Sequence, residues 1–382
     1  MGMLNDYEYF KTSRGVLYNG DSLDVLKLMP DESVNCVITS PPYWGLRDYG
    51  TALWYGGDPK CSHNAAKDKS RYDYTITSTK QIVVDGVDAP HWKDICPSCG
   101  AKKIDKQVGI EKSVYEYINK LILIFNEVKR ILKKDGTCWV NLGDTYGGNR
   151  QSNRFEKSLC QVPSRFAIAM FDNGWILRNE IIWHKPNAMP SSIKDRFTVD
   201  FEKMFFFVKN KTYFFEQQFE PLKDESKRRA MRGASANNKY ADSNNIPHGV
   251  HVHTMSKPRK HRGYTNMEEE ISKGNTFLNP KGRNKRTTWV INPKPFKDAH
   301  FAAFPPELVE TPINSGCPKG GVVMDIFFGS GTVGLVAEKT GCKWIGIELN
   351  KNYCDISKRR IKEESYLSLI HISEPTRPLY IS

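Results

Sequence analysis

The feature that most constrains this chain comes near its end. Val322 to Ile326 is a short apolar run, Phe327-Phe328-Gly329-Ser330-Gly331-Thr332 is a glycine turn that opens a helical stretch, and Lys343 to Leu349 is a second apolar run. This is one strand–helix–strand unit, and the only regular element predicted after it is a helix from about Tyr353 to Glu364. Two parallel strands cannot form a stable sheet alone, so their neighbours must be supplied by strands earlier in the chain. Folds with such a glycine turn usually open with it; here the order is circularly permuted.

The earlier strands are legible. Val16-Leu17-Tyr18 reads as a strand, Asn19-Gly20-Asp21 as a turn and the residues to about Leu28 as a helix. Val34 to Thr39 is a continuous apolar run of the kind buried on both faces of a parallel sheet, and it stops abruptly at Ser40-Pro41-Pro42-Tyr43. Val114, Tyr117, Ile118, Leu121, Phe125, Val128 and Leu132 recur at helical spacing over residues 113 to 132, with Gly136 as the predicted stop. A strand over Thr137 to Leu142, a helix over 162 to 173, and strands over Trp175 to Trp183 and Lys203 to Val208 continue the series. Trp289-Val290-Ile291 and a proline-bounded helix near Pro306 to Asn314 lead into the late unit. The repeated change of period predicts βαβ units and an α/β fold with a mostly parallel sheet.

Charge narrows the partners. The net charge of +13 favours a polyanion, and Lys223 to Arg286 carries fifteen Lys or Arg against six Asp or Glu, nine of the thirteen net charges. Taken alone, such a run is equally a solvated basic loop. No apolar run reaches the ~18 residues of a membrane span, and the N-terminus lacks a basic-then-apolar leader, so a soluble protein of the cytoplasm is expected. Nine cysteines are too few for a disulfide scaffold in 382 residues and fit a reducing compartment.

Two motifs carry chemistry. In the glycine turn, Gly329 and Gly331 fall where backbone must approach a ligand closely, and Glu348, ending the next strand, can accept hydrogen bonds from both hydroxyls of a ribose. In Ser40-Pro41-Pro42-Tyr43, two prolines offer rigid carbonyls and no N–H, Ser40 Oγ is a second acceptor, and Tyr43 offers a stacking face. An exocyclic base amine has its lone pair delocalised into the ring, and Ser40 Oγ with the Pro41 carbonyl could hold its hydrogens out of conjugation. An extruded base could then lie against Tyr43.

On these motifs the chain resembles the permuted, β-type amino-DNA methyltransferases, which act on cytosine N4 or adenine N6. The likeness covers most of residues 16 to 364 and includes Gly20-Asp21-Ser22, Trp183-x-Lys185-Pro186-Asn187 and His300-x-Ala302-x-Phe304-Pro305. It implies a Rossmann-like S-adenosylmethionine-dependent methyltransferase fold. It assigns catalysis to Ser40, Pro41, Pro42 and Tyr43, and cofactor binding to Asp21, Asp325, Phe327, Gly329, Gly331, Thr332, Glu348 and Asn350. Within that family the residue matching Asp21 contacts the cofactor adenine. Serine at position 40 is the family's usual choice for cytosine N4, where adenine N6 enzymes more often carry Asp or Asn. A C5 mechanism, which needs a Pro-Cys nucleophile, finds no such dipeptide. The implied partner is double-stranded DNA, in a prokaryotic or phage setting that leaves room for a cognate restriction endonuclease; the oligomeric state is left open.

Two insertions interrupt this plan. Cys61-x-His63 and Cys96-Pro97-Ser98-Cys99 supply four ligands suited to a structural zinc, with His91 as a substitute for His63. The basic insertion is the expected target-recognition region, with Lys257, Arg259, Lys260 and Arg262 as DNA contacts and His248, His251 and His253 as solvated loop residues. The resulting division is 1–60, the catalytic-motif part; 61–110, the zinc insertion; 111–209, the methyltransferase domain continued; 210–288, the recognition insertion; 289–365, the cofactor part; and 366–382, a non-native or disordered tail. The string Leu-Ser-Leu-Ile-His-Ile-Ser-Glu-Pro-Thr-Arg-Pro in that tail resembles translated sequencing-adapter read-through. An adenine-N6 enzyme, an RNA or protein N-methyltransferase and a non-catalytic zinc-bearing DNA-binding protein remain the alternatives.

Overall fold

The computed structural model describes residues 3–45, 49–61, 95–96, 98–147, 156–225, 281–293 and 304–373, the last ten of these by backbone alone. All six residues of Val34–Thr39 are buried, as their unbroken apolar pattern requires of a strand covered on both faces. This strand, β3, lies inside a nine-stranded sheet that also contains β1 (Glu8–Lys11), β2 (Gly15–Asn19), β6 (Leu132–Leu142), β7 (Ile176–His184), β8 (Phe201–Val208), β11 (Thr288–Val290), β12 (Val322–Asp325) and β13 (Lys343–Glu348). The order is β1-β2-β13-β12-β3-β6-β8-β7-β11. Strands β2, β13, β12, β3 and β6 run parallel, while β1 and β8 are antiparallel to their neighbours. A separate two-stranded ribbon pairs β4 (Leu53–Tyr55) with β5 (Lys102–Ile104).

Helices cover both faces. On one lie α1 (Ser22–Leu28), α2 (Val114–Ile131) and α3 (Val162–Asp172), whose Leu26, Tyr117, Leu121, Phe125 and Phe166 join Val37, Val140 and Phe205 in one core. On the other, α4 (Pro306–Gly316), α5 (Thr332–Thr340) and α6 (Lys351–Ser373) pack with Ile38, Trp139, Phe206, Val323 and Trp344. There Trp139 stacks on Phe206 with planes 3° apart and centroids 4.0 Å apart, worth ~0.5–1.5 kcal/mol beyond the area buried.

The topology sets the location of the site. From β12 the chain crosses through α5 to β13 on one side, and from β3 it crosses through α2 to β6 on the other. Between β12 and β3 the direction of winding reverses, which opens a crevice at their carboxyl ends.

Three details differ from the expectations. Strand β6 begins at Leu132, because Gly136 lies inside the strand, where a Cβ would come 2.7 Å from Leu132 Cγ, and does not end the helix. Strands β7 and β8 form an antiparallel pair joined by an irregular segment, and β8 inserts between β7 and β6. The backbone of α6 stays helical to Ser373, past the expected end at Glu364 and into the stretch read as tail; no proline occurs until Pro375.

Residues Gln217–Arg286 form a second unit. Its described part is a two-stranded pair, β9 (Phe219–Glu220) with β10 (Arg283–Asn284), in which Glu220 Oε1 accepts from Arg283 Nε at 2.8 Å and Arg286 Nε at 2.6 Å. No described helix is long and apolar enough to cross a membrane.

Candidate active site

The ends of β12 and β3 are bonded side by side. Thr39 Oγ1 donates to Asp325 Oδ1 at 2.6 Å, and the Phe327 amide donates to the same oxygen at 3.0 Å. Asp325 is 2% exposed, and this burial pushes its carboxyl up to about 7. Beyond it the chain turns through Gly329 (φ 52°) and Gly331 (φ 81°), both in the left-handed region. At Gly331 a Cβ would fall 2.7 Å from Ser357 Cβ. Arg360 Nη1 fixes the turn from outside, donating to Ser330 O at 2.6 Å, Ser330 Oγ at 2.9 Å and Thr332 Oγ1 at 3.3 Å.

Glu348 ends β13 facing this turn. Its Oε2 accepts from the Gly329 amide at 2.7 Å and its Oε1 from the Asn350 amide at 2.8 Å, while burial pushes the carboxyl up to about 7. Asn350 Nδ2 in turn donates to Tyr49 O at 3.1 Å. Asp325, Gly329, Gly331, Thr332, Glu348 and Asn350 therefore cluster at the carboxyl ends of β12 and β13 and on the turn that follows β12. Phe327 is partly buried against the α1–α2 core, whereas its neighbour Phe328 stacks on Trp344 and is a core residue. Asp21 lies at the same edge, since the Gly20 amide donates to Glu348 O at 3.0 Å. Its Oδ1 caps α1, accepting from the Leu23 amide at 3.0 Å and the Asp24 amide at 3.1 Å, a structural task that the sequence reading did not assign.

The Ser40-Pro41-Pro42-Tyr43 segment leaves β3 directly beside this crevice. The Pro42 carbonyl accepts from the Tyr117 hydroxyl at 2.9 Å, Trp44 Nε1 donates to Glu111 O at 2.9 Å and the Gly45 amide to Gly109 O at 2.8 Å. These bonds fasten the loop to α2 and to the strand of chain preceding it. Tyr43 lies over Gly143, where a Cβ would stand 2.5 Å from its Cε2. Its hydroxyl donates to Glu202 Oε2 at 2.6 Å, with Asn141 Oδ1 3.1 Å away. Burial, then the Glu202 charge, hold this hydroxyl well above its usual pKa, so it stays protonated and donates. Glu202 Oε1 accepts from Lys185 Nζ, which lies 4.2 Å over the Trp183 ring. The sequence does not mark Glu202, Asn141 and Arg360, and it marks Tyr117 only as a core position of a helix. The signal for the first two is polar residues interrupting an apolar strand, the pair Glu202-Lys203 between Phe201 and Met204 and the single Asn141 between Val140 and Leu142.

Of the expected zinc ligands, Cys61, Cys96 and Cys99 come together with their Sγ atoms within 4.8 Å of one another. His63, like His91, lies outside the described residues, as do the expected DNA contacts Lys257, Arg259, Lys260 and Arg262.

Comparison with known proteins is consistent along the chain. The family model described as DNA methylase matches residues 34–359. The chain is 32% identical over 382 residues to Type II methyltransferase M.Cfr9I of Citrobacter freundii, covering 94% of this chain and 92% of that protein. It is 31% identical over 370 residues to Type II methyltransferase M.XycI of Xanthomonas campestris pv. cyanopsidis, covering 91% and 88%. Among solved structures, the cytosine-N4-specific PvuII DNA methyltransferase matches at 20% identity and a TM-score of 0.49, covering 95% of each chain.

Proposed function

The chain belongs to the DNA methylase family, whose members methylate exocyclic amines, and from that premise we propose that it transfers a methyl group from S-adenosylmethionine to N4 of a cytosine flipped out of double-stranded DNA. The observation that carries this reading is the bonded juxtaposition of the two motifs: Thr39, one residue before Ser40, donates to Asp325, two residues before Phe327. An amine held by one loop is thereby next to a donor held by the other, the proximity a two-substrate transfer needs.

The crevice residues fit the donor. Gly329, in the left-handed region with nothing closer than 3.8 Å to where a Cβ would stand, leaves the turn open to a ligand, and a buried carboxylate at a strand end retains lone pairs for ribose hydroxyls after accepting its two backbone bonds. S-adenosylmethionine, when bound, supplies an electrophilic methyl group. The protein's own part is to prepare the nucleophile. With the Pro42 carbonyl engaged by Tyr117, Ser40 Oγ and the Pro41 carbonyl are the acceptors assigned to the two amine hydrogens, drawing the nitrogen lone pair out of ring conjugation. Tyr43, its hydroxyl anchored on Glu202, offers a ring of fixed orientation against which the base stacks, returning ~1–3 kcal/mol of the cost of unstacking it from the duplex.

Serine at position 40 supports cytosine N4 over adenine N6. The basic residues of the insertion, Lys257, Arg259, Lys260 and Arg262, are assigned to phosphate and base-edge contacts, and zinc is assigned a structural part only. The Type II relatives support a role in restriction–modification, with a cognate endonuclease as partner. The test is transfer of tritiated methyl from S-adenosylmethionine to duplex DNA, followed by nucleoside digestion. N4-methylcytosine is the expected product. N6-methyladenine would move the assignment to the sister specificity. Label on RNA or protein alone, or DNA binding with no transfer, would overturn the reading.

A further inference from the structure

We infer that the loop of residues 185–200 opens the DNA duplex, and that Phe197 enters the base stack at the place the extruded base leaves. The inference rests on the DNA-methyltransferase reading, which requires a base to leave the stack at a cost in stacking and pairing.

Strand direction places this loop. Because β8 is antiparallel to both of its neighbours, β7 runs parallel to β6 and β3. The end of β7 at His184 and the start of β8 at Phe201 therefore lie at the sheet edge where β3 runs into Ser40-Pro41-Pro42-Tyr43. The loop is closed at its base, where the Lys185 amide donates to Asp200 O at 2.7 Å and the Ala188 amide to Lys185 O at 3.0 Å. Lys185 Nζ and the Tyr43 hydroxyl both donate to Glu202, two residues past Asp200. Farther along, the Arg196 guanidinium lies over the Tyr146 ring, and Lys157 Nζ stands 3.4 Å from Asp195 Oδ2. Tyr146 is itself three residues past Gly143, which the Tyr43 ring covers. The loop is thus fastened beside Tyr43 at its base and again at Arg196, the residue before Phe197.

Between these anchors, large apolar side chains stay in water. Phe197 is 96% exposed and Met189 79%, the two highest values among the large apolar side chains described, and Val199 and Phe201 are exposed as well. A phenylalanine so placed forgoes the stabilisation of burial in the free protein. Duplex DNA whose target base rests against Tyr43 lies across this same edge and brings its base stack to the loop. Phenylalanine and methionine are side chains that wedge between base steps, and an aromatic face stacks on any base. Lys194 and Arg196 place positive charge next to Phe197, as phosphates on either side of an opened step require.

The test compares paired with mispaired targets. On a short duplex carrying the methylated site, Phe197→Ala should lower kcat/KM by roughly 5- to 150-fold, the worth of one stacked base. On the same duplex with the target base mispaired, and so already cheap to extrude, most of that loss should disappear. Phe197→Leu, still a wedge, should retain most activity on both. Phe171→Ala, an equally exposed aromatic placed before β7 at the opposite sheet edge, should change neither. Donor affinity and Tm should stay at wild-type values in all three, since neither side chain is buried. A second readout needs no methyl transfer: p-benzoylphenylalanine at position 197 should cross-link to unmethylated duplex DNA on irradiation, and at position 171 should not. Equal losses on paired and mispaired duplexes, no loss at all, or a cross-link at 197 to a second copy of the chain in place of DNA would overturn the inference. Absence of transfer to any DNA would count against the methyltransferase reading instead, and the cross-link would still decide whether Phe197 meets the duplex.

Discussion

Glu348 offers the sharpest quantitative prediction. Burial pushes its carboxyl up to about 7, and both of its oxygens accept backbone amides, from Gly329 and from Asn350. Only the ionised group can keep those bonds and accept ribose hydroxyls as well, so affinity for S-adenosylmethionine should follow the ionised fraction. With a pKa near 7, that fraction falls from roughly nine-tenths at about pH 8 to roughly one-tenth at about pH 6, an affinity loss approaching tenfold, ~1.4 kcal/mol. In Glu348→Gln the amide must point its NH₂ at one of two backbone N–H donors, losing that bond as well as the charge. The variant should bind the donor about 10- to 150-fold more weakly, the ~1.5–3 kcal/mol of a hydrogen bond to a charged group, and should lack the wild-type slope with pH. Titration calorimetry between about pH 6 and pH 8 reads both effects, with Asp325→Asn as the control for the second carboxyl near 7. An affinity in the wild type that is independent of pH, or a slope that survives in Glu348→Gln, would refute the reasoning.

Other consequences follow from the same geometry. Tyr43→Phe keeps the stacking face but loses the bond to Glu202, so stability should fall by about 1–2 kcal/mol in denaturant melts while most transfer survives. Tyr43→Ala removes the face and should lower kcat/KM by roughly 5- to 150-fold, the equivalent of ~1–3 kcal/mol of stacking. Gly331→Ala places a Cβ 2.7 Å from Ser357 in a left-handed turn and should weaken donor binding and lower Tm more than Gly329→Ala, where the nearest atom is 3.8 Å away. Asp325 sets a pH dependence of stability. From the ordinary carboxylate range up to about 7 the unfolded chain releases a proton that the folded chain keeps, so stability should fall as pH rises through this window and Asp325→Asn should flatten the fall.

Legibility in the sequence followed burial and backbone chemistry. The limits of β3 are those of its apolar run, because a central parallel strand needs no polar face, and the loop after it is marked by prolines that cannot continue a ladder. The late glycine turn was equally plain, since left-handed φ values need glycine. Strand direction was not: β8 returns antiparallel between β6 and β7, and a hydrophobic run looks the same in either direction. Glu202 and Asn141 escaped for a related reason, because their role depends on β8 and β6 being neighbours, and that adjacency brings both to the Tyr43 hydroxyl. Asp21 also has a local task, since its N-cap bonds to the Leu23 and Asp24 amides follow from its place before α1.

The central claim is that Ser40 holds the target amine while a separate crevice holds the donor. Ser40→Ala, assayed for donor binding by calorimetry and for tritium transfer to duplex DNA, tests it most directly. Donor affinity should stay at the wild-type value, and transfer should drop roughly 100-fold or more, the scale of losing one pre-organised hydrogen-bonding group. Transfer that persists in both Ser40→Ala and Tyr43→Ala would contradict the account.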